Sequence, residues 1–441
     1  MPQKNSKKPN AVKKPTQKKE RAKQFQSPKG MHDILPADQI WWDEMRRAGK
    51  ESARFYNFSL IETPVLEQAE LFERSVGMGT DIVEKEMFVM KTKGGDRLVL
   101  RPEGTAPIVR AYIENGLSHT PQPLKLWYSG PMFRHENPQA GRYRAFHQTG
   151  FEILGGNIDA LFDAQIIVVL HRFLGEVGLK NLIIQVNSIG CKVCRPNYLK
   201  KLLNYYKDKT KSICEDCRSR LETNPLRLLD CKKESCEPIK AEAPSLLNHL
   251  CVSCNHHFKT MLEYLDEVGI IYTLNPYLVR GLDYYSRTVF EIFSEGSNLA
   301  LAAGGRYDYL VEMLGGQATP AVGGAIGMER VIEVLKAANM KPNVRIYPTV
   351  YLVHLGDVAK KKSLKIIEMF RSTGIQIKES LGKDALKNQL RSADREKAKL
   401  ALILGQREVY EESIIIRDLE SGVQESVLIT KMVEEVKERL K

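Results

Sequence analysis

The 441-residue chain has no apolar run approaching the roughly 20 residues that a membrane-spanning helix requires, which argues against a helical membrane protein. Its N-terminus lacks the apolar stretch of a secretory signal, so a soluble, intracellular protein is the expectation. Apolar side chains are almost missing from residues 1–24, and a segment so poor in them cannot bury enough surface to fold. Nine Lys/Arg stand there against Glu20 alone, which accounts for eight of the twelve excess positive charges of the chain. Lysine-rich rather than Arg- and Ser-rich, and without an amphipathic stripe, this tail does not fit a mitochondrial transit peptide. It fits a basic arm for a polyanion, or a solubilising extension. Cysteine is absent outside residues 191–254. What remains is globular in composition, 43% hydrophobic and 27% charged, and the length suggests about three domains.

Residues 124–152 read LKLWYSGPMFRHENPQAGRYRAFHQTGFE, two strand-like runs around a turn signalled by Asn137-Pro138 and Gly141. Residues two apart in a strand share a face. Arg142, Arg144, Phe146, Gln148 and Glu152 thus fall on one face, and Tyr143, Ala145, His147 and Phe151 on the other. Arg134 closes the outgoing strand. Guanidinium groups match phosphate oxygens bidentately, and a Phe face can stack on a base. With an amide and a carboxylate beside them, this face suits a ligand that is part phosphate, part purine and part amine. The wet side of an ordinary antiparallel sheet would carry similar residues.

Other segments narrow the choice. Arg101-Pro102-Glu103-Gly104-Thr105 forms a turn that sets a carboxylate and a hydroxyl beside backbone open to close approach at Gly104. Downstream stand Leu278-Val279-Arg280-Gly281-Leu282-Asp283-Tyr284-Tyr285 and Ala303-Gly304-Gly305-Arg306-Tyr307-Asp308. Last comes Gly323-Gly324-Ala325-Ile326-Gly327-Met328-Glu329-Arg330, glycine-rich and opening a helix with a late arginine. At these residues the sequence resembles the class II aminoacyl-tRNA synthetases, and specifically the histidyl-tRNA synthetase family. The hairpin is similar to the second motif of that class and residues 327–330 to its third. Residues 58–77 (FSLIETPVLEQAELFERSVG), with Pro64, are similar to the first, which in the family helps form a dimer interface. LVRGLDYY and AAGGRYD resemble the two histidine-specific motifs and are the most specific part of a likeness that runs from about Gly30 to the C-terminus.

The resemblance implies histidine activation by ATP, with Mg2+, followed by transfer to the 3′ end of tRNA(His) by a cytoplasmic homodimer. It implies that Arg134 holds the α-phosphate, Phe146 stacks on adenine, Arg330 meets the distal phosphates and Arg142 assists there. Arg280 corresponds to a family arginine near the attacking carboxylate. Glu103 and Thr105, beside Gly104, would take the α-amino group with Gln148. Glu152 and Tyr285 would take opposite edges of the imidazole, while Tyr284 and Tyr307 wall the pocket.

Periodicity predicts helices over residues 38–56 and 162–177, and strands over 182–186, 285–293 and 299–303. The expected fold class is α+β. A catalytic domain on a largely antiparallel sheet spans residues 28–190 and 258–342, preceded by a tail at 1–27 and interrupted by a cysteine-rich insertion at 191–257. From about residue 343 a further pattern sets in. Strands are predicted at 349–355, 375–378, 400–404 and 413–417, and helices at 358–372, 385–398 and 429–440, with Gly374 capping the first helix. This is a compact α/β unit at 343–441, which the resemblance identifies as the anticodon-binding domain.

The insertion contains Cys191-x2-Cys194, Cys214-x2-Cys217, Cys231-x4-Cys236 and Cys251-x2-Cys254. Thiolates two residues apart can grip one tetrahedral zinc, and four pairs can make two four-cysteine sites. An intracellular protein disfavours disulfides. A structural zinc is therefore expected, with reduced, inert thiols the alternative. The insertion carries 13 Lys/Arg against 8 Asp/Glu, compatible with touching RNA.

Two rival readings are weaker. The regulatory subunit of ATP phosphoribosyltransferase shares the catalytic fold but lacks the C-terminal domain and the full catalytic set, whereas this chain has both Arg280 and residues 343–441. A non-catalytic, zinc-bearing RNA-binding protein accounts for the tail and the cysteines but leaves Glu103, Arg134, Glu152, Arg280 and Arg330 without a purpose. If the tail serves a polyanion, deleting residues 1–24 weakens tRNA binding and flattens its salt dependence while leaving adenylate formation intact. Unchanged tRNA affinity across a salt series would rule that role out.

Overall fold

The computed structural model describes residues 24–297, 299–342, 349–379, 382 and 385–440; the basic tail, residues 1–23, lies outside them. The chain divides into two units, residues 1–343 and 344–441. In the first, the strands in chain order are β1 (Ser59–Leu60), β2 (Leu66–Gln68), β3 (Phe88–Lys91), β4 (Arg97–Leu100), β5 (Leu124–Phe133), β6 (Ala145–Leu154), β7 (Leu182–Ser188), β8 (Tyr272–Leu274), β9 (Ser286–Ser294), β10 (Ala302–Arg306) and β11 (Ala321–Gly327). Eight of them make one sheet in the order β1-β5-β6-β11-β10-β9-β7-β8. Its six central strands pair antiparallel, and only the short edge strands β1 and β8 run parallel to their neighbours. The fold class is α+β, built on a largely antiparallel sheet.

One face of this sheet is packed by helices whose apolar residues recur at helical spacing. In the helix Gln39–Phe55 the buried set is Trp42, Met45, Ala48, Gly49, Ser52 and Ala53, together with Glu44. The helix Ala160–Glu176 starts where the Asp159 side chain accepts from the Leu161 N–H at 2.8 Å, which satisfies one of the open N-terminal donors. Its Ile166, Ile167, Leu170, Phe173 and Leu174 join Phe151 of β6 and Ile326 of β11 in the largest apolar core. Burying a side chain such as Phe173 contributes roughly 1.5–3 kcal/mol. The opposite face carries the helix Thr105–Glu114, residues of the insertion, and the tyrosines Tyr284, Tyr285 and Tyr307.

Arg306 of β10 is buried, with 1% of its surface exposed. It reaches both Asp163 oxygens in the helix Ala160–Glu176, Asp308 at 3.0 Å, and the Asp159 carbonyl at 2.7 Å. Burial opposes the charge on Asp163, yet Arg306, with His257 at 3.3 Å, holds that carboxyl well below the usual range.

Within this unit, boundaries depart from expectation in two places. β10 begins at Ala302, so the segment 299–303 is mostly not strand; the strand continues instead through Gly304-Gly305-Arg306. Arg144 lies before β6, and its guanidinium donates to the Glu136 carbonyl rather than facing the hairpin's ligand side. Strand alternation therefore holds only from Ala145 onwards.

In the second unit β12 (Thr349–His354), β13 (Gln376–Glu379), β14 (Leu400–Leu404), β15 (Ser413–Asp418) and β16 (Gln424–Leu428) form a sheet ordered β13-β12-β14-β15-β16. β12 pairs parallel with β13 and β14, and β15 and β16 continue antiparallel. The first helix, Gly356–Met369, stops before Gly374, which lies with φ +74° in the turn beyond rather than at the cap. β16 and the short helix Gln406–Tyr410 have no counterpart in the sequence reading. Among the described residues no helix is long and apolar enough to cross a membrane.

The buried Arg306 network has a measurable weight. Arg306→Ala would leave Asp163 without its main cation, at a cost of about 3–5 kcal/mol. All three tryptophans, Trp41, Trp42 and Trp127, lie in the first unit, so tryptophan fluorescence during urea unfolding reports that unit. A loss under about 1 kcal/mol would show that the network is replaceable.

Candidate active site

A cavity opens on the opposite face of the large sheet, over β6, β10 and β11. It is lined at one end by Arg134, Arg142 and Arg330, and elsewhere by Phe146, Gln148, Arg280, Tyr284 and Tyr285. Residues scattered over two hundred positions are thus brought together. Arg134 follows β5, and its Nε donates to the Pro102 carbonyl at 2.9 Å while its guanidinium lies 5.4 Å from the Phe146 ring centre. Arg330, in the first turn after β11, donates to the carbonyls of Gly141 (2.9 Å) and Ala300 (2.8 Å). Burial, then the charges of Arg134 and Arg142, push its pKa down. Glu136 is the counter-charge, 4.0 Å from Arg134 and 3.6 Å from Arg142. Cations outnumber carboxylates here, so this end favours an anion.

Arg280 ion-pairs with Glu291 of β9 and lies 5.9 Å from the Tyr285 ring centre. The Nε atoms of Arg280 and Arg142 are buried, with no hydrogen-bond partner among the described residues. Two desolvated donors of this kind ask for an acceptor.

At the other end the Glu103 carboxylate accepts from the backbone N–H groups of Thr105 (2.7 Å) and Ala106 (2.8 Å). It therefore also caps the helix Thr105–Glu114, a role the sequence reading lacked. The Tyr284 hydroxyl donates to the same carboxylate at 3.3 Å. Glu152, Tyr307 and Gly104 do not line the cavity but lie beneath it. Glu152 is 1% exposed and accepts from the Thr105 hydroxyl at 2.8 Å and from the Tyr307 hydroxyl. A Cβ at Gly323 would sit 1.5 Å from Glu152 Oε2, so only glycine fits opposite it. Burial pushes the Glu152 carboxyl up from 4.5 to about 8, although the bonds from Tyr307 and Thr105 pull the other way.

Sequence reasoning missed Tyr128, whose ring is clasped between Gly104 and Gly150; a Cβ on either would meet it at 2.4 Å. A signal existed, since a glycine inside a strand often marks close approach and Gly150 is the cross-strand partner of Tyr128. Glu136, Glu291 and Glu329 were missed as well. Tyr143, assigned to the far face, lines the cavity because it precedes β6. The eight cysteines form two separate groups, Cys191, Cys194, Cys251 and Cys254, and Cys214, Cys217, Cys231 and Cys236.

An antiparallel sheet bearing an arginine-rich, aromatic-lined cavity of this kind is the catalytic fold of the class II aminoacyl-tRNA synthetases. Residues 30–331 match the family model described as histidyl-tRNA synthetase, and residues 349–439 match the one described as anticodon binding domain. The chain is 43% identical over 418 residues to a histidine–tRNA ligase of Dehalococcoides mccartyi, covering 94% of this chain and 100% of the relative. A histidine–tRNA ligase of Thermodesulfovibrio yellowstonii is 43% identical, with 93% and 98% covered. The solved structure of apo histidyl-tRNA synthetase from S. aureus superposes with a TM-score of 0.79 at 32% identity, covering 93% of this chain and 99% of that one. The chain belongs to the histidyl-tRNA synthetase family.

The Glu152 shift has a defined sign. In the ligand-free fold the neutral acid is favoured, so its stabilising contribution is full below the ordinary carboxylate range. It is lost as pH rises towards about 8. Glu152→Gln removes this dependence: its melting temperature, relative to the parent in the same buffer, should become more favourable from pH 5 to pH 8. A difference that stays constant with pH would place the ionisation of Glu152 outside that window.

Proposed function

We infer that the chain joins L-histidine to tRNA(His) in two steps. The histidine carboxylate attacks the α-phosphorus of ATP, forming histidyl-adenylate and releasing pyrophosphate. A ribose hydroxyl at the tRNA 3′ end then attacks the acyl carbon, and AMP leaves. The observation that carries this reading is the cavity's division into an arginine end and a carboxylate–tyrosine end, with Arg280 also in its lining and beside the Tyr285 ring.

The first step needs positioning and charge neutralisation more than covalent chemistry. Arg134 holds the α-phosphate and Phe146 stacks on adenine, with Arg330 and Arg142 on the distal phosphates. Arg280 faces the attacking carboxylate; it stays charged at any physiological pH and can bridge two oxygens. Gln148, Thr105 and Glu103 take the α-amino group, Glu152 and Tyr285 the imidazole. Such a polar site rejects analogues that lack the ring nitrogens, because its own groups would then be left unpaired. Mg2+ accompanies ATP, held largely by phosphate oxygens with one or two carboxylates; Glu136 and Glu329 are the acids lining the arginine end. The C-terminal unit engages the anticodon, residues 58–77 contribute to a homodimer, and the protein works in the cytoplasm.

Histidine-dependent ATP–pyrophosphate exchange by the purified protein is the direct test, and its absence would overturn this function. Within that assay, Arg280→Ala costs on the order of 2.7–4 kcal/mol, or roughly a hundred- to a thousandfold in kcat, by analogy with losing one preorganised oxyanion donor. The KM for histidine changes less, since the interaction strengthens in the transition state. Arg280→Lys rescues poorly, because a point charge cannot span two oxygens. Wild-type adenylate formation by Arg280→Ala in a single turnover would remove Arg280 from the mechanism.

A further inference from the structure

The first cysteine group joins the two ends of the insertion. Cys191 and Cys194 follow β7, and Cys251 and Cys254 open the helix Val252–Val268. Sulfur–sulfur distances are 3.8 Å for Cys191–Cys194, Cys191–Cys251 and Cys194–Cys254. The second group joins the middle pairs, with Cys214 and Cys231 at 3.9 Å. In both groups all four sulfurs lie within 4.8 Å of one another. Zinc–sulfur bonds of about 2.3 Å put the corners of a tetrahedron about 3.8 Å apart, so each group has the dimensions of a single zinc cradle. A multi-iron cluster would force the sulfurs further apart, and disulfides would pull them together to about 2.05 Å.

Backbone N–H groups already aim at the sulfurs, as thiolates require: Cys191 N to Cys194 Sγ at 3.2 Å, Val193 N to Cys191 Sγ at 3.4 Å, and Cys214 N to Cys236 Sγ at 3.2 Å. Gly190, at φ +69°, leaves room where a Cβ would meet Cys194 Sγ at 2.8 Å.

Both cradles hold the same stretch of the active site. Arg195, next to the ligand Cys194, donates to the carbonyls of Ile189 (3.1 Å), Gly190 (3.3 Å) and Tyr285 (2.6 Å). Ser253, between Cys251 and Cys254, lies 3.5 Å from the Arg287 guanidinium. Arg287 has φ +50°, an uncommon conformation for a non-glycine residue that its surroundings must impose. Its N–H donates to the Gly190 carbonyl at 2.8 Å. From the loop between Cys217 and Cys231, Asn224 donates to Asp283, and Arg227 pairs with Asp81 at 2.7 Å.

We propose that two zinc ions occupy these cradles and that, through Arg195 and Asn224, they brace the segment Asp283–Arg287 carrying the tyrosine pair of the histidine end. The brace rests on the histidine-binding role proposed above for Tyr285; the zinc count does not. Arg195 and Asn224 are positioning residues, since neither lines the cavity.

Elemental analysis of the full chain, purified without added metal, should find two zinc per chain. Cys251→Ser with Cys254→Ser should leave one, as should Cys231→Ser with Cys236→Ser. Should these variants fail to fold, Co2+ exchanged into the parent protein supplies the count through its tetrahedral thiolate absorption. Fewer than two ions by both measurements would overturn the sites. Arg195→Met should keep two zinc and an unchanged KM for ATP, while its KM for histidine in pyrophosphate exchange rises by about tenfold to a hundredfold. An unaltered histidine KM, or equal losses for both substrates, would overturn the brace. If the parent chain shows no histidine-dependent exchange, the functional reading fails while the zinc count stands.

Discussion

A carboxyl group deprived of water, Glu152, ties the site together. Its two oxygens are taken by Thr105, 47 residues away in sequence, and by Tyr307, 155 residues away. Three remote segments therefore converge because one buried group has to be satisfied. The sheet yields to the same need, since Gly323 on the neighbouring strand cannot bear a side chain. Around this point Glu103 caps the helix that delivers Thr105, and Tyr284 bonds to Glu103. The polar groups beneath the cavity are thus fixed by one another before any ligand arrives, the preorganisation that such a site needs.

Charges on the two faces of the sheet do different work. On the helical side Arg306 is enclosed by Asp163 and Asp308. On the cavity side Arg142 and Arg280 each keep a buried Nε without a hydrogen-bond partner among the described residues. Arg306 is adjacent to Tyr307, so the segment GGRYD spans both roles: its arginine anchors the strand, and the neighbouring tyrosine, pointing the opposite way, reaches Glu152. Alternation along a strand makes this possible.

Much of this was legible in the residues. The faces of the returning strand followed from period two, so Phe146 and Gln148 were placed together correctly; the cysteine spacing announced metal-sized groups; and the alternation after residue 349 announced a second α/β sheet. What escaped depended on contacts far apart in sequence. Nothing local marks Arg306 as buried, because its partner Asp163 lies 143 residues upstream. Glu103 read as a ligand group, since its capping role shows only once the helix Thr105–Glu114 is seen to begin beside it. Strand alternation failed at Tyr143 and Arg144 because the regular strand starts only at Ala145. Which cysteine pairs share a cradle depends on how the insertion folds back, and spacing alone leaves that open.

On the proposed assignment, the desolvation of Glu152 also bears on how histidine is distinguished. In the empty site burial favours the neutral acid. A ring N–H placed against it favours the carboxylate, since hydrogen bonding to the charged form stabilises that form. Imidazole binding and proton release from Glu152 are then linked. A ring or chain without a nitrogen at that position would leave a buried acid whose preferred state is unchanged, and would gain nothing from its ionisation. Discrimination so derived needs no close steric fit, which agrees with a cavity whose floor is carboxylate, hydroxyl and phenol rather than a tight apolar wall. On the same assignment Tyr307 would share Glu152 with the ligand, so a shift in its hydroxyl would alter the ionisation that the ligand exploits.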